Sequence, residues 1–270
     1  MSDARAMHSR SYLFVPGNRP ERFDKACAAG AGAVIIDLED AVVPAEKIAA
    51  RAALRDWLSA NKSVLIRINS AETEWFQDDL ALCSLPGVAG IVLPKSERAE
   101  HLRTVADAGA ATILPLIESA HGFARLSEIA QQARVQRLIF GSIDFQLDLG
   151  IEGEDDALLF FRSQLVLQSR LANLLSPVDG VSVGIDDVDQ LRIDTQRARR
   201  LGFGAKLCIH PRQVETVNHA FRPDAASVAW ATKVVAAADK AGGAAVAVDG
   251  KMVDLPVLLK ARAILDEGET

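Results

Sequence analysis

Residues 90–119 read GIVLPKSERAEHLRTVADAGAATILPLIES. Two short apolar runs, 90–93 and 112–117, enclose a stretch at 98–108 with helix formers and an apolar face at roughly 3.6-residue spacing. The pattern is strand, helix, strand. Polar residues follow the runs: Lys95 after the first, across Pro94, and Glu118 and Ser119 directly after the second.

Outward from this unit the same alternation continues. Candidate strands lie at 12–15, 33–38 and 64–68 upstream, and at 138–140, 178–183 and 205–209 downstream. Candidate helices lie at 21–29, 46–59, 122–133, 157–173 and 188–201. Eight βα units in roughly 210 residues suit an α/β fold of the closed (β/α)8 TIM-barrel type better than a doubly wound sheet, which needs fewer strands. One barrel domain is expected over residues 11–222, after a polar, flexible N-terminus at 1–10. Beyond it, 223–241 reads as a helix, 245–248 as a short strand before the Asp249-Gly250 turn, and 255–265 as a last helix. This C-terminal helical appendage, 223–270, packs on its own barrel or reaches a neighbouring subunit.

The chain has 270 residues, long enough to bury one large core, and 30 Lys and Arg against 36 Asp and Glu give a net charge of −6. Without a basic excess, nucleic acid is not an expected partner. No apolar run reaches the ~18 residues of a membrane span, and the N-terminal residues lack the apolar segment of a secretory signal. A cytoplasmic protein is expected. Cys27, Cys83 and Cys208 are too far apart to suggest a disulfide framework or a thiolate metal site.

Barrel enzymes build their sites at the C-terminal ends of the strands. The ends here carry Asp37-Leu-Glu39-Asp40, Arg67-Ile-Asn69, Pro94-Lys95, Glu118-Ser119, Gly141-Ser-Ile-Asp144 and His210-Pro211. Any one of these charges is ordinarily a solvated loop residue or a helix cap. Six in succession would aim carboxylates and cations at one mouth, where they are costly unless a ligand or ion holds them. Glu118 and Asp144 form an oxygen pair suited to Mg2+, which retains several waters. An ordinary acidic pair, or Asp144 as a helix N-cap, is the alternative. Arg67 suits bidentate recognition of a substrate carboxylate, or else pairs with Asp37 or Glu39. The turn and helix start at 16–25, with Arg19 and Lys25, suits a phosphate, although a solvated basic helix face is, by itself, the more ordinary reading. His210 has no assigned role. Walker, Rossmann and Gly-x-Ser-x-Gly motifs are absent.

Seven blocks in register carry a resemblance. They are SYLFVPGNRPER (11–22), DLEDAV (37–42), RIN (67–69), PLIES (115–119), GSID (141–144), IHP (209–211) and DGKMVD (249–254). Together they resemble the citrate lyase β-subunit family, relatives of malyl-CoA and citramalyl-CoA lyases in the wider HpcH/HpaI aldolase/citrate lyase superfamily. The resemblance implies a TIM barrel, usually trimeric, that acts on CoA thioesters with Mg2+ held by Glu118 and Asp144. It implies that Arg67 holds the oxo-acid carboxylate, with Asp37, Glu39 and Asp40 as supporting carboxylates behind the metal. Arg19 and Lys25 would face the CoA phosphates, assisted by Lys47 and Arg51. Asp254 would reach the site of a neighbouring subunit as the proton-transfer acid. Aldolases of the superfamily carry a histidine where this chain has Asp40, which favours the CoA-ester branch.

The expected activity is therefore Mg2+-dependent cleavage of a 3-hydroxyacyl-CoA of citryl, citramalyl or malyl type to an oxo acid and an acyl-CoA. Two alternatives stand beside it. One is a citrate lyase β-type subunit working only in a complex with an acyl-carrier protein. The other is a non-catalytic module that binds CoA or an oxo acid.

Overall fold

The computed structural model describes residues 9–240 and 246–268. Most of the expected N-terminal arm, residues 1–8, and Ala245 of the last expected strand lie outside the described residues. Two compact units divide the chain, Met1–Asn218 and His219–Thr270.

The first unit is a closed barrel of eight parallel strands in sequence order, with helices between them. The strands are β1 (Ser11–Pro16), β2 (Ala33–Asp37), β3 (Val64–Arg67), β4 (Val88–Leu93), β5 (Ile113–Ile117), β6 (Ile139–Phe140), β7 (Val178–Asp179) and β8 (Ala205–Cys208). β1 closes the ring by pairing with β8, Ser11 opposite Lys206 and Leu13 opposite Cys208. Tyr12, Ile35, Leu65, Val92, Leu114, Ile139 and Leu207 point inward from different strands and pack as one buried cluster. Branched and aromatic side chains filling layers from successive strands make the interior a packed core, leaving the strand ends free for chemistry.

Around the ring run α1 (Phe23–Cys27), α2 (Lys47–Trp57), α3 (Phe76–Asp79), α4 (Ala99–Asp107), α5 (Ala120–Ala124), α6 (Leu126–Ala130), α7 (Ser142–Leu149), α8 (Asp156–Leu171), α9 (Val188–Leu201) and α10 (Pro211–Ala220). The single helix expected at 122–133 is two short ones, split at Arg125. The Ser119 hydroxyl caps the first by accepting the Gly122 N–H at 3.1 Å.

β7 is two residues long where six were expected. Side chains intercept the backbone beyond it: Lys206 Nζ donates to Gly180 O at 2.7 Å, and Gln213 Nε2 to Ser182 O at 2.9 Å. Asp179, fully buried, meets Arg162 of α8 at 3.0 Å and Lys206 at 3.7 Å.

The second unit contains α11 (Ala225–Lys240), a hairpin of β9 (Val246–Val248) with β10 (Lys251–Val253), and α12 (Leu255–Gly268). Its own core is Ala231, Val234, Val253 and Ala261. The second hairpin strand was not among the expected elements. Asp249, at φ 47°, and Gly250, at φ 76°, turn it tightly. No described helix is long and apolar enough to cross a membrane.

Candidate active site

The strand ends converge on a cavity of about 430 Å³, whose polar lining includes Asp37, Asp40, Arg67, Glu118, Ser142 and Asp144. Its wall is apolar, from Phe14, Leu116, Phe140, Val181 and Leu207.

Asp37 ends β2 and Arg67 ends β3, opposite each other in the sheet register. This places a bidentate pair across the two strands, Nε to Oδ1 at 2.7 Å and Nη2 to Oδ2 at 2.6 Å. Asp37 also accepts the N–H groups of Glu39 at 2.9 Å and Ala41 at 3.2 Å, which shape the acidic turn. Arg67 Nη1 lies 3.1 Å from Glu39 and 3.7 Å from Asp40, and its guanidinium stacks 4.7 Å from the Phe14 ring centre. Burial opposes its charge, but Asp37, Glu39 and Asp40 outweigh that and raise its pKa. Arg67 therefore stays cationic while bound to a carboxylate of the protein itself.

Glu118 directly follows β5 and is buried. Its Oε1 accepts the backbone N–H of Lys95 at 2.7 Å. Lys95 holds a left-handed φ of 47°, and this unusual turn after β4 aims its N–H at the carboxylate. Gly141 gives the other side of Glu118 its room, since a Cβ there would stand 2.7 Å from Oε2. Burial, Glu39 and Asp144 together push Glu118 up to about 8, against the single backbone hydrogen bond and Arg67. Burial and the nearby Asp40 push Glu39 up to about 7, opposed by Arg67 and Lys95. The Lys95 ammonium lies 3.6 Å from Glu39 Oε1. Lys95 was visible among the strand-end residues, yet nothing in the sequence marked its backbone as a Glu118 partner.

Asp144 stands in the first turn of α7, whose N-cap position is Gly141, so Asp144 is not the cap residue. Ser142, Ile143 and Asp144 line the cavity from this turn, where N–H groups have no intrahelical acceptor. The Ser142 hydroxyl is buried and has no hydrogen-bond partner among the described residues. Sequence reasoning passed over it, and its position between Gly141 and Asp144 was the one available signal.

Asp37, Asp40, Arg67, Glu118 and Asp144 therefore meet at one mouth, with Glu39 joined to them through Arg67 and Lys95. Arg19 and Lys25 are exposed outside the cavity lining, and Arg19 pairs with Glu21 at 2.6 Å. Lys47 and Arg51 correct an expectation, because both are buried. Lys47 donates to Leu38 O, Glu39 O and Asn69 Oδ1, and Arg51 donates to Asp79 Oδ1 at 2.7 Å. Their charges are spent inside the protein and do not face a phosphate. Asp254 belongs to the second unit, is exposed, and accepts the Val257 N–H at 3.3 Å as the cap of α12.

Comparison with known proteins places the chain in a family. A model of the HpcH/HpaI aldolase/citrate lyase family matches residues 10–211. A citrate lyase subunit beta-like protein of Deinococcus radiodurans is 36% identical over 274 residues, spanning 95% of this chain and 96% of that protein. A (3S)-malyl-CoA thioesterase of Cereibacter sphaeroides is 34% identical over 271 residues, spanning 96% and 94%. The crystal structure of CitE from Mycobacterium tuberculosis with magnesium, acetoacetate and coenzyme A superposes with a TM-score of 0.86 at 34% identity, covering 97% of this chain and 98% of that one.

Proposed function

Because the chain belongs to the HpcH/HpaI aldolase/citrate lyase family, we propose that it is a Mg2+-dependent lyase that cleaves a 3-hydroxyacyl-CoA into an oxo acid and an acyl-CoA. The observation that supports this reading most directly is the convergence of Glu118, Asp144 and the Asp37–Arg67 pair on one cavity at the strand ends.

Glu118 and Asp144 fit the metal. Glu118 is a buried carboxylate whose neighbours are mostly acidic, so a cation relieves a cost already built into the fold. Among the described residues no three His, Cys, Asp or Glu side chains group to hold a metal. Two carboxylates leave most of an octahedral shell to water and substrate oxygens, as Mg2+ prefers. When bound, the ion supplies Lewis-acid polarisation and a template for substrate oxygens.

The chain's own residues then have distinct tasks. Arg67, fixed by Asp37, presents positive charge where the oxo-acid carbonyl forms and its carboxylate lies. The first turn of α7 and the Ser142 hydroxyl offer donors to the same carboxylate. Glu39 and Asp40 hold water on the acidic side. Arg19 and Lys25 draw in the CoA phosphates from the rim. The substrate hydroxyl passes its proton to water held by Glu39 and Asp40 as its oxygen becomes the oxo-acid carbonyl. The electron pair of the broken carbon–carbon bond passes to the thioester fragment, and Asp254 of a neighbouring subunit in a trimer protonates its carbon.

The M. tuberculosis structure carries magnesium, acetoacetate and coenzyme A, which supports the same ligands here. The thioesterase relative supports a second reading, hydrolysis of the thioester at this site. Citryl-, citramalyl- and malyl-CoA incubated with Mg2+ or EDTA separate the two. Cleavage releases an oxo acid and an acyl-CoA, whereas hydrolysis releases free CoA and a hydroxy acid. Absence of oxo acid from all three thioesters would overturn the lyase reading.

A further inference from the structure

Lys47 lies on the first turn of α2 and is 5% exposed, yet among the described residues no carboxylate is its direct partner. An ammonium group has three protons to donate, and each has a specific acceptor. They go to Leu38 O at 2.8 Å, Glu39 O at 2.9 Å and Asn69 Oδ1 at 2.6 Å. The Trp75 ring lies 4.9 Å from Nζ and covers it from the side.

The acceptors are informative because they sit on two different strand ends. Leu38 and Glu39 form the turn after β2, between Asp37 and Asp40, whose side chains line the cavity. Asn69 follows β3, two residues beyond Arg67. Asn69 is itself fixed, since its backbone N–H and Nδ2 donate to Asp79 Oδ2 at 2.8 and 2.7 Å, while Arg51 holds the other Asp79 oxygen. The network anchors Asn69, and Lys47 ties the acidic turn to that anchor.

We propose that Lys47 is a positioning residue for the acidic site, locking the turn that carries Asp37, Glu39 and Asp40 against the strand end that carries Arg67. The geometry also explains why a lysine is buried there. Lys47 satisfies Leu38 O and adds a second donor to Glu39 O, which already accepts the Val42 N–H at 3.0 Å, and the cation lies beneath the acidic side chains and moderates their mutual repulsion. A neutral side chain of the same length would fill the space but leave the turn with only its own hydrogen bonds, untied from Asn69. The metal arm of the test rests on the cation-site reading above, whereas the exchange arm does not.

The test uses the full-length chain with Lys47→Met, which keeps the apolar stem and removes the donors. The amides of Glu39 and Ala41, which donate to Asp37, are expected to exchange at least about tenfold faster, with those of β5 unchanged. The Mg2+ dissociation constant, measured by calorimetry without substrate, is expected to rise about 10–100-fold, as for lost outer-shell partners of other metal sites. Small alkylammonium ions added to Lys47→Ala are expected to restore part of both. A merely structural lysine would instead lower the melting temperature and speed exchange throughout the barrel, leaving Mg2+ affinity intact. That result, or unchanged exchange at Glu39 and Ala41, overturns the proposal. Should Lys47→Met not fold, Asn69→Ala removes one of the three acceptors and must show the same local pattern to a smaller degree. If the wild type fails to bind Mg2+, the cation-site reading falls, and the exchange data alone decide the role of Lys47.

Discussion

At the scale of single residues the site is a set of carboxylates whose repulsion the fold tolerates. Glu118→Gln removes one cation donor, and calorimetry is expected to show Mg2+ binding lost with turnover falling by at least about a hundredfold. The raised Glu39 and Glu118 carboxyls set a pH dependence. A carboxylate raised in the folded state binds a proton more tightly than in the unfolded chain. It therefore costs stability as pH climbs from the ordinary value towards about 7 for Glu39 and about 8 for Glu118. Mg2+ replaces those protons, so the gap in melting temperature between Mg2+ and EDTA should widen from pH 6 to pH 8 and then level off. Thermal scans across that range check it, and a gap independent of pH would contradict the assignment. Gly141→Ala is expected to weaken Mg2+ binding by crowding Glu118 Oε2, which stands 2.7 Å from the added carbon. Asp37, Asp40, Arg67, Glu118 and Asp144 were all legible in the sequence, because a polar residue directly after an apolar run lands at a barrel mouth. The partner of Arg67 was not legible, since choosing between Asp37 and an external carboxylate requires the register of β2 against β3. The Lys95 N–H and the Ser142 hydroxyl escaped notice for a similar reason: backbone turns, and not residue type, aim them.

At the scale of elements, alternation of apolar runs with helical stretches located all eight strands, but it overestimated β7. Apolar side chains at 181 and 183 look like strand, and only the buried side chains of Lys206 and Gln213 show that the nearby carbonyls are already taken. The ion pair behind β7 tests this. Arg162 is 1% exposed, and it joins Asp179 at 3.0 Å to Glu154 at 2.6 Å. Arg162→Leu leaves Asp179 with Lys206 alone, and the cost should approach the ~3–5 kcal/mol typical of a broken buried pair. Urea unfolding should show it as a lower midpoint with little change in slope. Lys47 and Arg51 illustrate the opposite error. The family resemblance implied that the helix carrying them assists at the CoA phosphates, but both side chains turn inward to Asn69 and Asp79.

At the scale of the whole molecule, a compact barrel and a small helical unit with its own core make up the chain. The proposed proton-transfer acid, Asp254, belongs to the small unit, whereas the proposed cation donors belong to the barrel. If Asp254 serves a neighbouring trimer subunit, two inactive variants, Glu118→Gln and Asp254→Asn, should complement each other when mixed and allowed to exchange subunits. About a quarter of the sites then combine intact residues from both chains, and activity should return to roughly that share. Absence of recovery, with exchange verified by mass spectrometry, would place Asp254 in its own subunit's site or outside the chemistry. The sequence by itself determined the barrel and the residues at its mouth, because strand periodicity and strand-end position are local properties of the chain. Only the tertiary structure decided which charges face the cavity and which are spent on each other. Arg67, Lys47 and Arg51 look alike in sequence as cations near acidic residues. Burial and strand register, both set by contacts distant in the chain, leave Arg67 at the site and place the other two beneath it.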